Sequence, residues 1–167
     1  MTIPQTTYPS VMPIGIEGQI ADTGDDIHCR TRVNTTAAME FGRGVTRGSA
    51  DDTVVLPTAT IANFAGVTAF SHVGSGDTTS TGIPAKTPAN ILRKGRVTVV
   101  PETAVAPGDP VYMRFQNAGA LPEAIGRFRN DNDGGSGDVI LLSATLPIAW
   151  ATTATAGNPA VLELNFP

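Results

Sequence analysis

Turn-forming residues recur along almost the whole of this chain, and the apolar stretches between them are the length of strands. Its 167 residues include 18 glycines and 13 prolines, residues that interrupt helices and mark turns. Between them lie short runs such as Val54-Val55-Leu56, Val97-Thr98-Val99-Val100, Val111-Tyr112-Met113, Val139-Ile140-Leu141-Leu142 and Val161-Leu162-Glu163-Leu164. Charged residues make up 16% of the chain, against about 25% in an ordinary domain. Thr, Ala, Gly and Pro fill the difference, a mixture that favours strands and turns over amphipathic helices.

Read in order, the chain opens with Pro4, Pro9 and Pro13 among Thr, Ser and Gln. That spacing excludes a helix and a central strand, so residues 1–14 are expected as an extended arm ahead of a β-rich domain over 15–167. The arm is either a disordered terminus or a segment that docks through Tyr8, Val11, Met12 and Ile14. Ile14, Ile16, Gly18 and Ile20 then alternate with Gly15, Glu17 and Gln19, the period of a strand. After a turn at 22–25, Ile27, Cys29, Thr31 and Val33 share one side of a second strand and His28, Arg30 and Arg32 the other. Cys29 is accordingly expected as a small buried core residue.

Glycines bend the stretch from Met39 to Gly48, and Thr58 to Ala62 allow one short helical turn. Gly66 to His72 is strand-like, Gly74 through Pro88 reads as a long exposed loop, and Val97-Val99 and Val111-Phe115 read as strands around a Pro107-Gly108 turn. A short strand at 125–128, a continuous buried strand at 139–142 and two C-terminal strands complete the count. Roughly nine to eleven short strands with little helix predict an all-β fold, a single β-sandwich or barrel (jelly-roll-like) with an extended N-terminal arm.

The residues exclude several function classes. With two histidines, one cysteine and none of the usual catalytic signatures, no catalytic, cofactor or metal residues are assigned. Asp131-Asn132-Asp133-Gly134-Gly135-Ser136-Gly137-Asp138 carries oxygen ligands around glycines, as calcium loops do. Its spacing fits neither an EF-hand nor a β-roll repeat, and a polar hairpin turn is the alternative. The net charge of −4 and the lack of aromatics interleaved with basic residues speak against direct nucleic-acid binding. No apolar run approaches a membrane span, and the opening residues do not form a signal peptide. One cysteine permits no internal disulfide. The pairs Arg43/Arg47 and Arg127/Arg129, and the cluster Arg93, Lys94, Arg96, are either solvated faces or sites that meet carboxylates on a partner.

The order of these segments resembles a known family. Gly15-Ile16-Glu17-Gly18-Gln19-Ile20-Ala21-Asp22 followed by Asp26-Ile27-His28-Cys29-Arg30 is similar to the opening of the structural cement (capsid decoration) proteins of tailed bacteriophages. Phe41-Gly42-Arg43-Gly44-Val45, Gly95-Arg96-Val97-Thr98-Val99, Gly108-Asp109-Pro110-Val111-Tyr112 and Ala124-Ile125-Gly126-Arg127-Phe128 extend the likeness across the chain after the arm. The resemblance implies a non-enzymatic protein, made in the host bacterial cytoplasm, on the outer surface of the mature head. Its implied partners are the major capsid protein and further copies of itself, as homodimer or homotrimer. The expected interface residues are Tyr8, Val11, Met12, Ile14, Arg43, Arg47, Arg93, Lys94 and Arg96. The alternatives are a tail, baseplate or fibre-associated virion protein, or a carbohydrate- or cation-binding β module.

Overall fold

A computed structural model describes residues 15–21, 27–36, 38–57, 63–70, 82–116, 119 and 123–166. Twelve strands occur among them: β1 (His28–Asn34), β2 (Met39–Glu40), β3 (Gly44–Arg47), β4 (Thr53–Val55), β5 (Phe64–Ala69), β6 (Gly82–Ile83), β7 (Pro88–Val99), β8 (Tyr112–Arg114), β9 (Phe128–Arg129), β10 (Val139–Leu141), β11 (Ile148–Trp150) and β12 (Ala160–Asn165). A 3-10 turn at Asp133–Gly135 is the helical element that lies wholly within the described residues. The all-β expectation holds, in its barrel form.

Strand pairing closes a ring. β1 pairs with β4, β4 with β3, β3 with β5, β5 with β7, and β7 returns to β1. Only the β1–β4 contact is parallel among these five. Closure removes the free edges that an open sheet must protect. The second half of β7 carries β12, and β12 carries β11. β8 forms a separate small sheet with β9 and β10, and β2 pairs with β6.

Two apolar clusters follow from this arrangement. The smaller holds Val45, Val54, Ala65, Ala89 and Ile91 from the ring, with Met39 and Ile83 from the β2–β6 pair. The larger joins Leu92, Val97 and Val99 of β7 to Leu162 and Leu164 of β12, Trp150 of β11, Met113 of β8 and Phe128 of β9. Ile91 and Leu92 are adjacent yet serve different clusters, because successive side chains on a strand point to opposite faces. A strand covered on both faces reads as apolar on both faces, which is why this part of β7 shows no clean alternation.

Several local expectations change. Residues 15–19 form a tight turn instead of a strand: Gln19 N–H donates to the Ile16 carbonyl at 2.9 Å, and Ile16 N–H donates to Gln19 Oε1 at 3.0 Å. Only Ile20 bridges, to Val97. The period of two was there, but the glycines at 15 and 18 take φ of +93° and +83°, which folds the backbone. Cys29 is exposed, because β1 contributes no buried residue to either apolar cluster. The strands at Val97–Val99 and Tyr112–Arg114 do not pair; they belong to different sheets that share the larger core. Val139–Leu141 is half-buried, with Leu142 just beyond it fully buried. The end of the expected 74–88 loop is β6, and Pro88 opens β7; the earlier part of that loop and the turn at 58–62 lie outside the described residues.

Gly66 sits at an irregularity in the ring. It has φ of +138°, and a Cβ there would stand 2.3 Å from the Leu92 carbonyl oxygen. The β3–β5 register shifts at this point, between Val45 and Thr46. Gly66→Ala should therefore destabilise the protein by about 2–3 kcal/mol through backbone strain and the clash with β7. Urea unfolding followed by tryptophan fluorescence checks this; an unchanged midpoint would show that β7 yields at no cost.

Candidate functional site

The three-stranded sheet and the segments beside it gather charge at the edge of the large core. Arg114 ends β8, Arg129 ends β9, and Tyr112 stands opposite Arg129 in the ladder. Glu102 follows β7 across Pro101 and is anchored by its N–H to the Phe128 carbonyl at 2.9 Å. Its carboxylate is 1% exposed and faces the equally buried Arg114 guanidinium. Arg114 Nε donates to Glu102 Oε1 and Oε2 at 2.8 and 3.0 Å, and Nη2 donates to Oε2 at 2.9 Å. Fork-shaped pairing of this kind directs both groups and keeps the buried charges partnered.

The acidic segment closes the same cluster. Asp133 lies 2.9 Å from Arg114 Nη2 and 2.7 Å from Arg129 Nη1, while Asp131 lies 2.5 Å from Arg129 Nε. Guanidinium groups thus hold the carboxylates that resemble a calcium loop, and no group of three or more candidate metal ligands occurs among the described residues. The segment is not a hairpin either, since β9 and β10 lie on opposite sides of β8. Glu102 above all, with Asp133, raises the Arg114 pKa. Burial works against the charge of Arg129, but Asp131 and Asp133 outweigh it and raise its pKa. Partial desolvation acts to raise the Asp133 pKa, and Arg114 and Arg129 reverse that, holding it below the ordinary aspartate value.

A second buried group surrounds the turn at 15–19. Glu17 lies 3.7 Å from Arg43 Nη1 and 3.7 Å from Arg127 Nη2, and Arg43 also pairs with Glu40. Arg43 is 2% exposed; burial, opposed by Glu17, lowers its pKa to about 10. The expectation that Arg43, Arg127 and Arg129 sit on a solvated face or an interface is therefore corrected. Their guanidinium groups lie inside the protein, where near neighbours in sequence (Glu40, Asp131, Asp133) and distant carboxylates (Glu17, Glu102) meet them.

A third group reaches the surface, with Arg30 and Arg47 exposed and Arg32 and Arg93 partly buried. Arg30 and Arg32 of β1 stand opposite Ile91 and Ala89 of β7, and Arg47 follows Val45 by two residues on β3. By strand alternation these side chains continue the rows that fill the ring, and they emerge where that filling ends. Arg93 belongs to the same group: partial burial and then the charges of Arg30, Arg47 and Arg32 lower its pKa. None of the four forms an ion pair with a described carboxylate, although Arg32 donates to the Asp51 carbonyl. Of the expected interface residues, Arg47 and Arg93 come together here. Arg96 instead pairs with Glu163 across β7 and β12 at 2.9 Å, and Lys94 stands opposite Asn165 and His28. Tyr8, Val11, Met12 and Ile14 lie outside the described residues. Sequence reading missed Arg30 and Arg32 as members of the patch; the signal was their shared face on one strand.

Two tests follow from the buried cluster. Glu102→Gln removes the buried carboxylate that Arg114 and Arg129 share and should cost about 3–5 kcal/mol of unfolding free energy, measured in urea. A loss below 1 kcal/mol, about the worth of an exposed pair, would show that water reaches the site. Asp133, with a folded pKa below its unfolded value of 3.8, contributes stability that is present above that value and lost as pH falls through the lower folded pKa. Asp133→Asn should therefore flatten the fall in stability below about pH 4; an unaltered acid limb would exclude Asp133 as a contributor.

Comparison with known proteins completes the picture. No curated protein sequence matches the chain. A chain from the capsid of Myoviridae phage XM1 has a similar fold, with a TM-score of 0.69, 15% sequence identity and 96% of each chain covered. The family model described as structural cement protein (E217 gp24/Pam3 gp6) matches residues 3–165. That span takes in the ring, the small sheet and all three charged groups, and the protein belongs to the phage structural cement family, non-enzymatic components of the virion capsid.

Proposed function

We propose that this protein binds the outer surface of the mature phage head, at contacts between major capsid proteins, and holds the expanded shell against internal pressure. The observation that carries the reading is the family match over residues 3–165. The composition agrees with it: a chain with only 16% charged residues repels neighbouring copies weakly. A cement protein acts by repetition, since copies that touch several shell subunits and one another bind with an avidity no single contact supplies.

Two parts meet the shell in this proposal. The arm over residues 1–14 docks in extended form through Tyr8, Val11, Met12 and Ile14, gaining contact area at the entropic cost of ordering. The domain over 15–167 contributes Arg47 and Arg93, with Lys94 and Arg96 nearby on β7. The protein works as a symmetric homodimer or homotrimer, the closed assemblies that suit capsid symmetry axes.

Quantitative mass spectrometry of purified virions tests the location. A copy number in simple ratio to the major capsid protein is expected. A few copies per particle would move the protein to the tail or fibres, and its absence would overturn the virion reading. Deleting residues 1–13 should weaken binding to cement-free shells while the β domain still melts cooperatively. Undiminished shell affinity of the truncated protein would remove the arm from the interface.

A further inference from the structure

We infer that the face formed by Arg30, Arg32, Arg47 and Arg93 is a docking surface for a carboxylate-rich patch of the shell protein. The inference rests on the capsid-binding reading above and gives it a chemistry and a place. It differs from the sequence expectation in its members, since it adds Arg30 and Arg32 and sets Arg43 and Arg96 aside.

Charge is sorted unevenly in this molecule. Of the 11 Lys and Arg residues, Arg43, Arg114, Arg127 and Arg129 are buried, and Arg96 is matched by Glu163. The four arginines of the patch are gathered on one face, although the whole chain carries a net charge of −4. Gathering like charges opposes folding and is visible in the lowered pKa of Arg93, which follows from burial and then from Arg30, Arg47 and Arg32. A partner that brings anions relieves this repulsion on binding.

Three features select carboxylates. Guanidinium forks match carboxylate geometry, and the same protein already shows the fit where Arg114 grips Glu102 through three hydrogen bonds. The arginines come from β1, β3 and β7 of a closed ring, so strand register fixes their backbone spacing before the partner arrives. Nucleic acid fits less well: β1, β3 and β7 carry no Phe, Tyr or Trp on which bases could stack, and the net negative charge repels polyphosphate.

The experiment is binding of the full-length protein to expanded, cement-free shells of the phage's major capsid protein, across a range of salt. The combined variant Arg30→Gln/Arg47→Gln/Arg93→Gln should lose affinity by about tenfold or more and show a shallower salt dependence. Its melting temperature should not fall, because removing crowded like charges leaves the fold unopposed. Arg96→Gln should keep affinity within about twofold, as an exposed pair contributes little. Arg47→Lys/Arg93→Lys keeps the charge and loses the forks, so an intermediate loss of affinity is expected from a variant that preserves the fold.

The outcomes separate cleanly. Failure of the wild-type protein to bind shells would overturn the capsid reading and this inference together. Wild-type binding matched at every salt concentration by the triple variant would overturn the arginine surface alone. Tighter binding of the wild type to a single-stranded oligonucleotide than to shells, lost in the triple variant, would make the partner a polyphosphate. A changed sedimentation state in the triple variant would reassign the patch to contact between copies.

Discussion

The structure depends on β7 being shared. Its first half closes the five-strand ring between β1 and β5, and its second half carries β12 and, through it, β11. Ile91 and Leu92 fill the small and large clusters respectively. A single strand thus couples two apolar interiors, and neither can loosen without moving the other. Close packing makes such a joint stiff, a suitable property for a capsid cement protein. Gly66 shows how little room remains, since even a methyl group there would meet the Leu92 carbonyl.

Arginine serves two purposes in this protein, and depth separates them. Arg114 and Arg129 neutralise Glu102, Asp131 and Asp133 beside the small sheet, and Arg43 and Arg127 flank Glu17 of the turn at 15–19. These buried groups contribute geometry more than net stability, because desolvation offsets much of the attraction. Arg114 and Arg129 stand at the ends of the short strands β8 and β9, so their shared carboxylates tie those strands to Glu102 and to the acidic segment. The arginines of the surface patch neutralise no described carboxylate, and they crowd one another on the ring.

Much of the fold was legible because strands leave local marks. Turn residues and alternating apolar positions located β4, β5, β8, β11 and β12, and the resemblance in segment order matched the family later found over residues 3–165. Misreadings arose where local pattern and long-range contact disagree. Ile16 to Ile20 alternates as a strand does, but glycines in left-handed conformations turn the chain there. Cys29 has the spacing of a core residue, yet no apolar layer covers its strand. The acidic run at 131–138 has the composition of a cation loop, and only the fold reveals that arginines from β8 and β9 already answer its charge.

The sequence by itself determined the class of protein: all-β, without catalytic signatures, and similar in segment order to capsid cement proteins. These properties reside in residue types and short spacings, which act locally on the backbone. Tertiary structure alone decided which strands pair, that the ring closes, and which arginines are buried, paired or exposed. Arg43 and Arg47 lie four residues apart and look alike in sequence, yet the first is enclosed with Glu17 and the second stands in the open patch with Arg93. The physical reason is that the environment of a charge is set by groups brought to it across the fold, such as Glu17 beside Arg43, and no local pattern records their approach.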